Sequence, residues 1–213
     1  MLPEKYRYIV VEGPIGAGKT SLARRLASHL NKDLLLEDPD ANPFLGKFYE
    51  DPRRHALATQ LFFLFQRTQQ LGTLKQIDLF ERGSVSDFIL DKDPLFARLT
   101  LSDDELALYQ QIYRHLAPQA PAPDLVLYLQ ASPAKLVERV RRRAVAYERH
   151  LSEHYLVRLA DAYRTFFYQF TAAPLLIVNS DHLNFVDHAE DFDLLLRRIG
   201  AMKGPREFFS RGE

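Results

Sequence analysis

The chain has 213 residues, 46% of them apolar and 26% charged, with 28 Lys+Arg balancing 28 Asp+Glu and no cysteine. Zero net charge argues against a broad basic surface for nucleic acid or membrane, and the lack of cysteine excludes disulfides and thiol catalysis and suits a reducing compartment. No stretch approaches the roughly 20 apolar residues of a membrane-spanning helix and residues 1–12 lack a signal peptide's architecture, so a cytoplasmic protein with one large core and a lid is expected.

Tyr8-Ile9-Val10-Val11 reads as a short buried strand. It leads into Gly13-Pro14-Ile15-Gly16-Ala17-Gly18-Lys19-Thr20 and then Ser21, which opens a helical pattern. Strand, glycine loop and helix are the context of the phosphate-binding P-loop, G-x-x-x-x-G-K-[ST]. Loop amides and the helix N-terminus favour an anion. Lys19 adds charge for the outer phosphates, and the Thr20 hydroxyl suits Mg²⁺. ATP and Mg²⁺ are thus the expected cofactors.

Short apolar runs then alternate with longer helical patterns, the signature of a parallel sheet wrapped by helices. Strands are expected over 7–12, 34–37, 78–82, 124–130 and 175–179: an α/β fold with five parallel strands. The second strand runs into Glu37-Asp38-Pro39. Ligands gather at the carboxyl ends of such strands, which puts Glu37 beside the P-loop, where a carboxylate can take a proton from an attacking hydroxyl.

After the aromatic stretch Asn42 to Tyr49, a helix is expected over 53–76. Phe62, Phe63 and Phe65 make it apolar on several faces, so it should be buried in the fold or at a subunit interface. Gln60 and Arg67, seven residues apart, share one of its faces. A hydrogen-bonding ligand such as a nucleobase would satisfy them. The third strand is expected to end in Glu81-Arg82, with Asp87 beyond. That makes Glu81 a candidate for the Mg²⁺ shell, Arg82 for a phosphate or for orienting Glu37, and Asp87 for a base. The fourth strand has no carboxylate at its far end, which favours Glu81 as the metal residue.

Ser132-Pro133 begins a helix carrying Arg139, Arg141, Arg142 and Arg143, followed by Glu148. In a P-loop protein such a run reads as a lid whose arginines close over ATP. His150 to His154 fits H-x-x-E-H, a zinc-protease pattern, but without a third ligand it reads as a solvated helix start. An amphipathic helix is expected over 152–171. The tail from about 201 suggests no role and partial disorder.

Together these residues resemble the deoxyribonucleoside kinase family over about residues 6–180. The resemblance implies that Glu37 is the base for the 5′-hydroxyl and that Arg82 stands close to that hydroxyl and the phosphates. It also implies that Tyr49 and Glu148 hold the 3′-hydroxyl, that Gln60, Arg67 and Asp87 read the base, and that Thr20 and Glu81 serve Mg²⁺. Arg139 and Arg143 match the family's lid arginines. Two positions depart from the pattern: Gly83 where Ser is usual, and Val145 where a further lid arginine is expected. The segment Asn42-Pro43-Phe44 to Phe48-Tyr49 is similar to bacterial members acting on purine deoxynucleosides. The expected substrate is therefore deoxyadenosine or deoxyguanosine, with deoxycytidine next, and the expected assembly a homodimer. The rival readings are a nucleoside monophosphate kinase and a non-catalytic ATP-binding regulator.

Overall fold

The computed structural model describes residues 6–76, 82–117, 120–185 and 187–211. The strands are β1 (Tyr8–Glu12), β2 (Asp33–Leu35), β3 (Ser84–Ser86), β4 (Leu125–Gln130), β5 (Leu175–Asn179) and β6 (Arg206–Phe209). They form one parallel sheet in the order β2-β3-β1-β4-β5-β6. The sheet thus has six strands, not the expected five. The sixth comes from the tail, where Leu175 N donates to Pro205 O and starts the pairing of β6 with β5.

The helices are α1 (Lys19–Leu30), α2 (Leu45–Glu50), α3 (Pro52–Gln76), α4 (Asp93–Thr100), α5 (Asp103–Leu116), α6 (Pro133–Arg143), α7 (Glu153–Gln169) and α8 (Ala189–Ala201). Among the described residues no helix is long and apolar enough to cross a membrane.

Side chains alternate between the two faces of a strand, and both faces of this sheet are covered, as parallel sheets require. Ile9 and Val11 of β1 and Leu125, Leu127 and Leu129 of β4 pack with Leu22 and Leu26 of α1 and Phe192, Leu195 and Ile199 of α8. Tyr8, Val10, Val126 and Tyr128 point the other way, onto Leu64 of α3, Tyr109 of α5 and Leu159, Tyr163 and Phe167 of α7. Helix α3 buries Ala56, Gln60, Phe63, Leu64, Arg67 and Leu71 along one side, while Phe65 stands 54% exposed.

The third strand is the main departure from expectation. Residues 77–81 lie outside the described residues, so positions 78–81 of the expected strand 78–82, Glu81 among them, do too. The strand between β2 and β1 is Ser84–Ser86, reached through Gly83 at φ +74°. A Cβ on Gly83 would lie 2.5 Å from the Arg7 carbonyl oxygen, so serine cannot stand there without moving the backbone. Arg82 therefore precedes the strand instead of ending it.

Candidate functional site

Strand order reverses at β1: the chain leaves it toward β2 and β3 on one side and later crosses to β4 on the other. Such a switch point opens a crevice at the carboxyl ends of the strands. The P-loop follows β1 there. Gly16 and Gly18 have φ of +85° and +95°, which glycine adopts without strain. Gly13 passes so close to β4 that a Cβ would meet the Leu129 carbonyl oxygen at 2.6 Å. Helix α1 starts with no side-chain cap, which leaves its first amides for an anion. Lys19 Nζ donates to the carbonyls of Gly13 (2.8 Å) and Pro14 (3.2 Å). Burial pushes its ammonium below the ordinary value, against the pull of Glu12, Glu37 and Asp87.

Two cavities meet at this loop. The larger, about 470 Å³, runs from Gly16–Ser21 past Arg139, Arg142 and Arg143 of α6 to the segment Ser180–Phe185. Arg139 Nη1 donates to Ser180 Oγ at 3.2 Å, which seats α6 on that segment. The smaller, about 140 Å³, is lined by Glu37, Tyr49, Gln60, Arg67, Asp87 and Glu148, with Lys92 and several aromatic rings. Gly16, Lys19, Thr20 and Arg143 line both cavities. The expected site residues Glu37, Tyr49, Gln60, Arg67 and Glu148 thus converge on one space from distant parts of the chain.

In the smaller cavity Glu37 is gripped on one side. Its Oε1 accepts from Arg67 Nε at 2.5 Å, pairs with Arg67 Nη2 as well, and lies 3.6 Å from Lys92 Nζ. Among the described residues Oε2 has no partner. Burial pushes the carboxyl up, but Arg67, Lys92 and Lys19 outweigh it and hold it at about 2. Gln60 is 4% exposed, and its amide has no hydrogen-bond partner among the described residues. Glu148 pairs through Oε1 with Arg143, and its Oε2 is buried without a partner among the described residues. Tyr49 stacks on Tyr147 with centroids 6.2 Å apart.

Two expected placements are corrected. Arg82 is exposed at the amino end of β3, where its carbonyl accepts from Lys32 Nζ, and it lines neither cavity. Asp87 directly follows the carboxyl end of β3. While lining the smaller cavity, its carboxylate is tied to the P-loop and to Glu37: Oδ2 accepts from Thr20 Oγ1 at 2.5 Å and Oδ1 from Glu37 N at 2.8 Å. Among the described residues, the carboxylates that pair with Arg67 are Glu37 and Asp93, not Asp87.

Sequence reasoning missed Glu12, Lys92 and Asp93. All three are buried, at 0%, 1% and 0% exposure. Asp91-Lys92-Asp93-Pro94 has the composition of a solvated turn. Its one signal is position, shortly beyond a strand's carboxyl end. Val145, where a lid arginine was expected, lines neither main cavity but a further hollow along α6 with Val137 and Val140. Arg141 points away from both main cavities to pair with Glu153, the glutamate of the H-x-x-E-H segment.

The sequence matches the deoxynucleoside kinase family over residues 9–202. It is 31% identical to the deoxyguanosine kinase of Bacillus subtilis over 198 residues, covering 90% of this chain and 95% of that one. It is 29% identical to the deoxyadenosine kinase of Lactobacillus acidophilus, covering 90% and 97%. Among solved structures, the deoxyadenosine kinase from M. mycoides with bound dATP shares the fold, with a TM-score of 0.78 at 22% identity over 91% of this chain and all of that one. The chain belongs to the deoxynucleoside kinase family and is an ATP-dependent kinase.

Proposed function

We propose that the chain moves the γ-phosphoryl group of ATP to the 5′-hydroxyl of a purine deoxynucleoside. The observation that carries this is the meeting of two cavities at Gly16, Lys19, Thr20 and Arg143, with the free oxygen of Glu37 on the smaller side. ATP lies in the larger cavity, its phosphates on the loop amides, Lys19 and the arginines of α6. The deoxynucleoside lies in the smaller one. Glu37 Oε2 takes the 5′-hydroxyl proton as that oxygen bonds to the γ-phosphorus and the bond to ADP breaks. Catalysis of this kind is mainly positioning and electrostatics.

The donor set at the loop fits Mg²⁺, which binds through one or two protein oxygens and the substrate's phosphates. The hydroxyl of exposed Thr20 and the carboxylate of buried Asp87, hydrogen-bonded to each other, would hold it. Burial raises the Asp87 pKa, a cost that a neighbouring cation removes. Bound there, Mg²⁺ offsets phosphate charge.

Tyr49 and the unpartnered oxygen of Glu148 hold the 3′-hydroxyl. Gln60 and the Arg67–Asp93 pair read the base. An amide presents both a donor and an acceptor, so Gln60 suits adenine and guanine, with cytosine next. Arg67 and Lys92 are committed to carboxylates, which disfavours a substrate that brings its own phosphate. Phe65 and Leu108, exposed at 54% and 47% on the contacting helices α3 and α5, support a homodimer through these two helices. The cysteine-free composition supports a cytoplasmic setting.

The test is ADP release with ATP, Mg²⁺ and each deoxynucleoside in turn. A purine deoxynucleoside should exceed thymidine at least about tenfold in kcat/KM, since unpaired buried polar groups reject the wrong partner. Thymidine as best substrate would overturn the base assignment. Turnover confined to a monophosphate would overturn the acceptor assignment.

A further inference from the structure

Lys92 is among the largest fully buried side chains of the molecule. It stands on the short turn Leu90–Lys92 that follows β3. Its ammonium lies 3.2 Å from Glu12 Oε2 and 3.6 Å from Glu37 Oε1. Glu12 is the last residue of β1, one position before the P-loop. Its Oε1 accepts from Gly13 N at 2.8 Å and from the Tyr163 hydroxyl at 2.9 Å, and its Oε2 from Ile89 N at 3.0 Å. One carboxylate therefore fixes the first amide of the phosphate loop, the turn that carries Lys92, and the lysine itself.

We propose that Lys92 is a positioning residue for phosphoryl transfer, tying the Glu37 carboxylate to the P-loop through Glu12 so that Glu37 Oε2 faces the attacking hydroxyl. The inference rests on the reading of Glu37 as the base. Arg67 and Lys92 approach the same oxygen from different elements, α3 and the turn after β3. With Oε1 gripped from two directions, the carboxylate cannot rotate its free oxygen out of the cavity. Lys92 thus supplies a charge beside Glu37 of the kind expected of Arg82, which lies at the amino end of β3. A lysine suits the place because its ammonium is a compact point charge, fitting between two carboxylates where Arg67 already occupies the third side.

The alternative is that Lys92 only neutralises Glu12. Lys92→Met alone strands a buried carboxylate and risks the fold, so the decisive variant is Glu12→Gln with Lys92→Met, which buries no unpaired charge. It is assayed beside wild type, Glu12→Gln, Lys92→Arg, Arg82→Ala and Glu37→Gln for turnover, deoxynucleoside KM and binding of a fluorescent ATP analogue. The proposal predicts that the double variant, read against Glu12→Gln alone, keeps ATP binding and KM within about threefold while kcat falls about 30- to 1,000-fold, within the range of misplacing an acid–base group. It also predicts that Lys92→Arg retains at least about a tenth of wild-type turnover and that Arg82→Ala stays within about twofold of wild type. Turnover of the double variant near the level of Glu12→Gln alone would overturn the proposal and leave Lys92 as a counter-ion, as would loss of turnover in Arg82→Ala. Turnover that survives Glu37→Gln would instead overturn the base assignment, and this inference with it.

Discussion

A carboxylate held at about 2 is a weak base, yet Glu37 is the group best placed to take a proton. The loose transition state of phosphoryl transfer asks little of base strength and much of position, which fits an oxygen pinned by Arg67 and Lys92. The same pinning links Glu37 to stability. Its folded pKa lies below its unfolded value, so it stabilises the fold fully above about pH 5 and loses that contribution as pH falls toward about 2, a term on the order of 3 kcal/mol. Urea unfolding of wild type should therefore lose stability over that acid window more steeply than Glu37→Gln does; parallel curves would contradict the ion-pair reading. At the other end of the cavity, Glu148 Oε2 is a buried acceptor awaiting a donor. Removing the substrate's 3′-hydroxyl should cost wild type about ten- to a hundredfold in kcat/KM, the worth of a hydrogen bond to a charged group. It should cost Glu148→Gln several-fold less, and equal losses would remove Glu148 from that role.

Two elements decide where the chemistry sits. Strand β3 is three residues long, and its start is set by Gly83. With φ at +74° and the Arg7 carbonyl oxygen 2.5 Å from where a Cβ would stand, Gly83→Ala should cost about 1–3 kcal/mol. That lowers Tm by about 2–10 °C, while turnover per folded molecule is unchanged. A variant as stable as wild type would refute the strand's placement. Helix α6 sorts its arginines by helical spacing: Arg139, Arg142 and Arg143 line the larger cavity, while Arg141 reaches Glu153 on the other side. Arg142→Ala should raise KM for ATP about tenfold, the worth of one charge-assisted contact, and Arg141→Ala should leave it within about twofold. Equal effects would mean that α6 turns differently over the nucleotide.

Across the whole molecule, the sheet's switch point brings the ends of β1, β2 and β3 together, and with them the P-loop, Glu37, Asp87 and Lys92. Much of this was legible in the sequence. Buried parallel strands are continuous apolar runs, so β1, β4 and β5 were placed within a residue or so, and the P-loop carries its own spacing. Strand β3 was not, because Ser84-Val85-Ser86 has one apolar residue, whereas Leu79-Phe80 upstream looks more like a strand. Ser86 belongs in the sheet because its hydroxyl bonds the Phe88 backbone on both sides, a local pairing that no hydrophobic pattern records. Strand β6 was missed because a short edge strand after Gly204-Pro205 buries little. Lys92 and Asp93 were missed because their burial depends on Glu12 and Arg67, partners far away in the sequence. Phosphoryl transfer here requires donor and acceptor cavities that meet at the P-loop in one line. A bisubstrate compound that joins adenosine through a phosphate chain to the 5′-oxygen of a purine deoxynucleoside puts that geometry to the test. It should compete against both ATP and the deoxynucleoside, with affinity at least about a hundredfold above that of ATP, because the second site is filled at high effective concentration. Competition against ATP alone, at the affinity of ATP, would contradict the shared line.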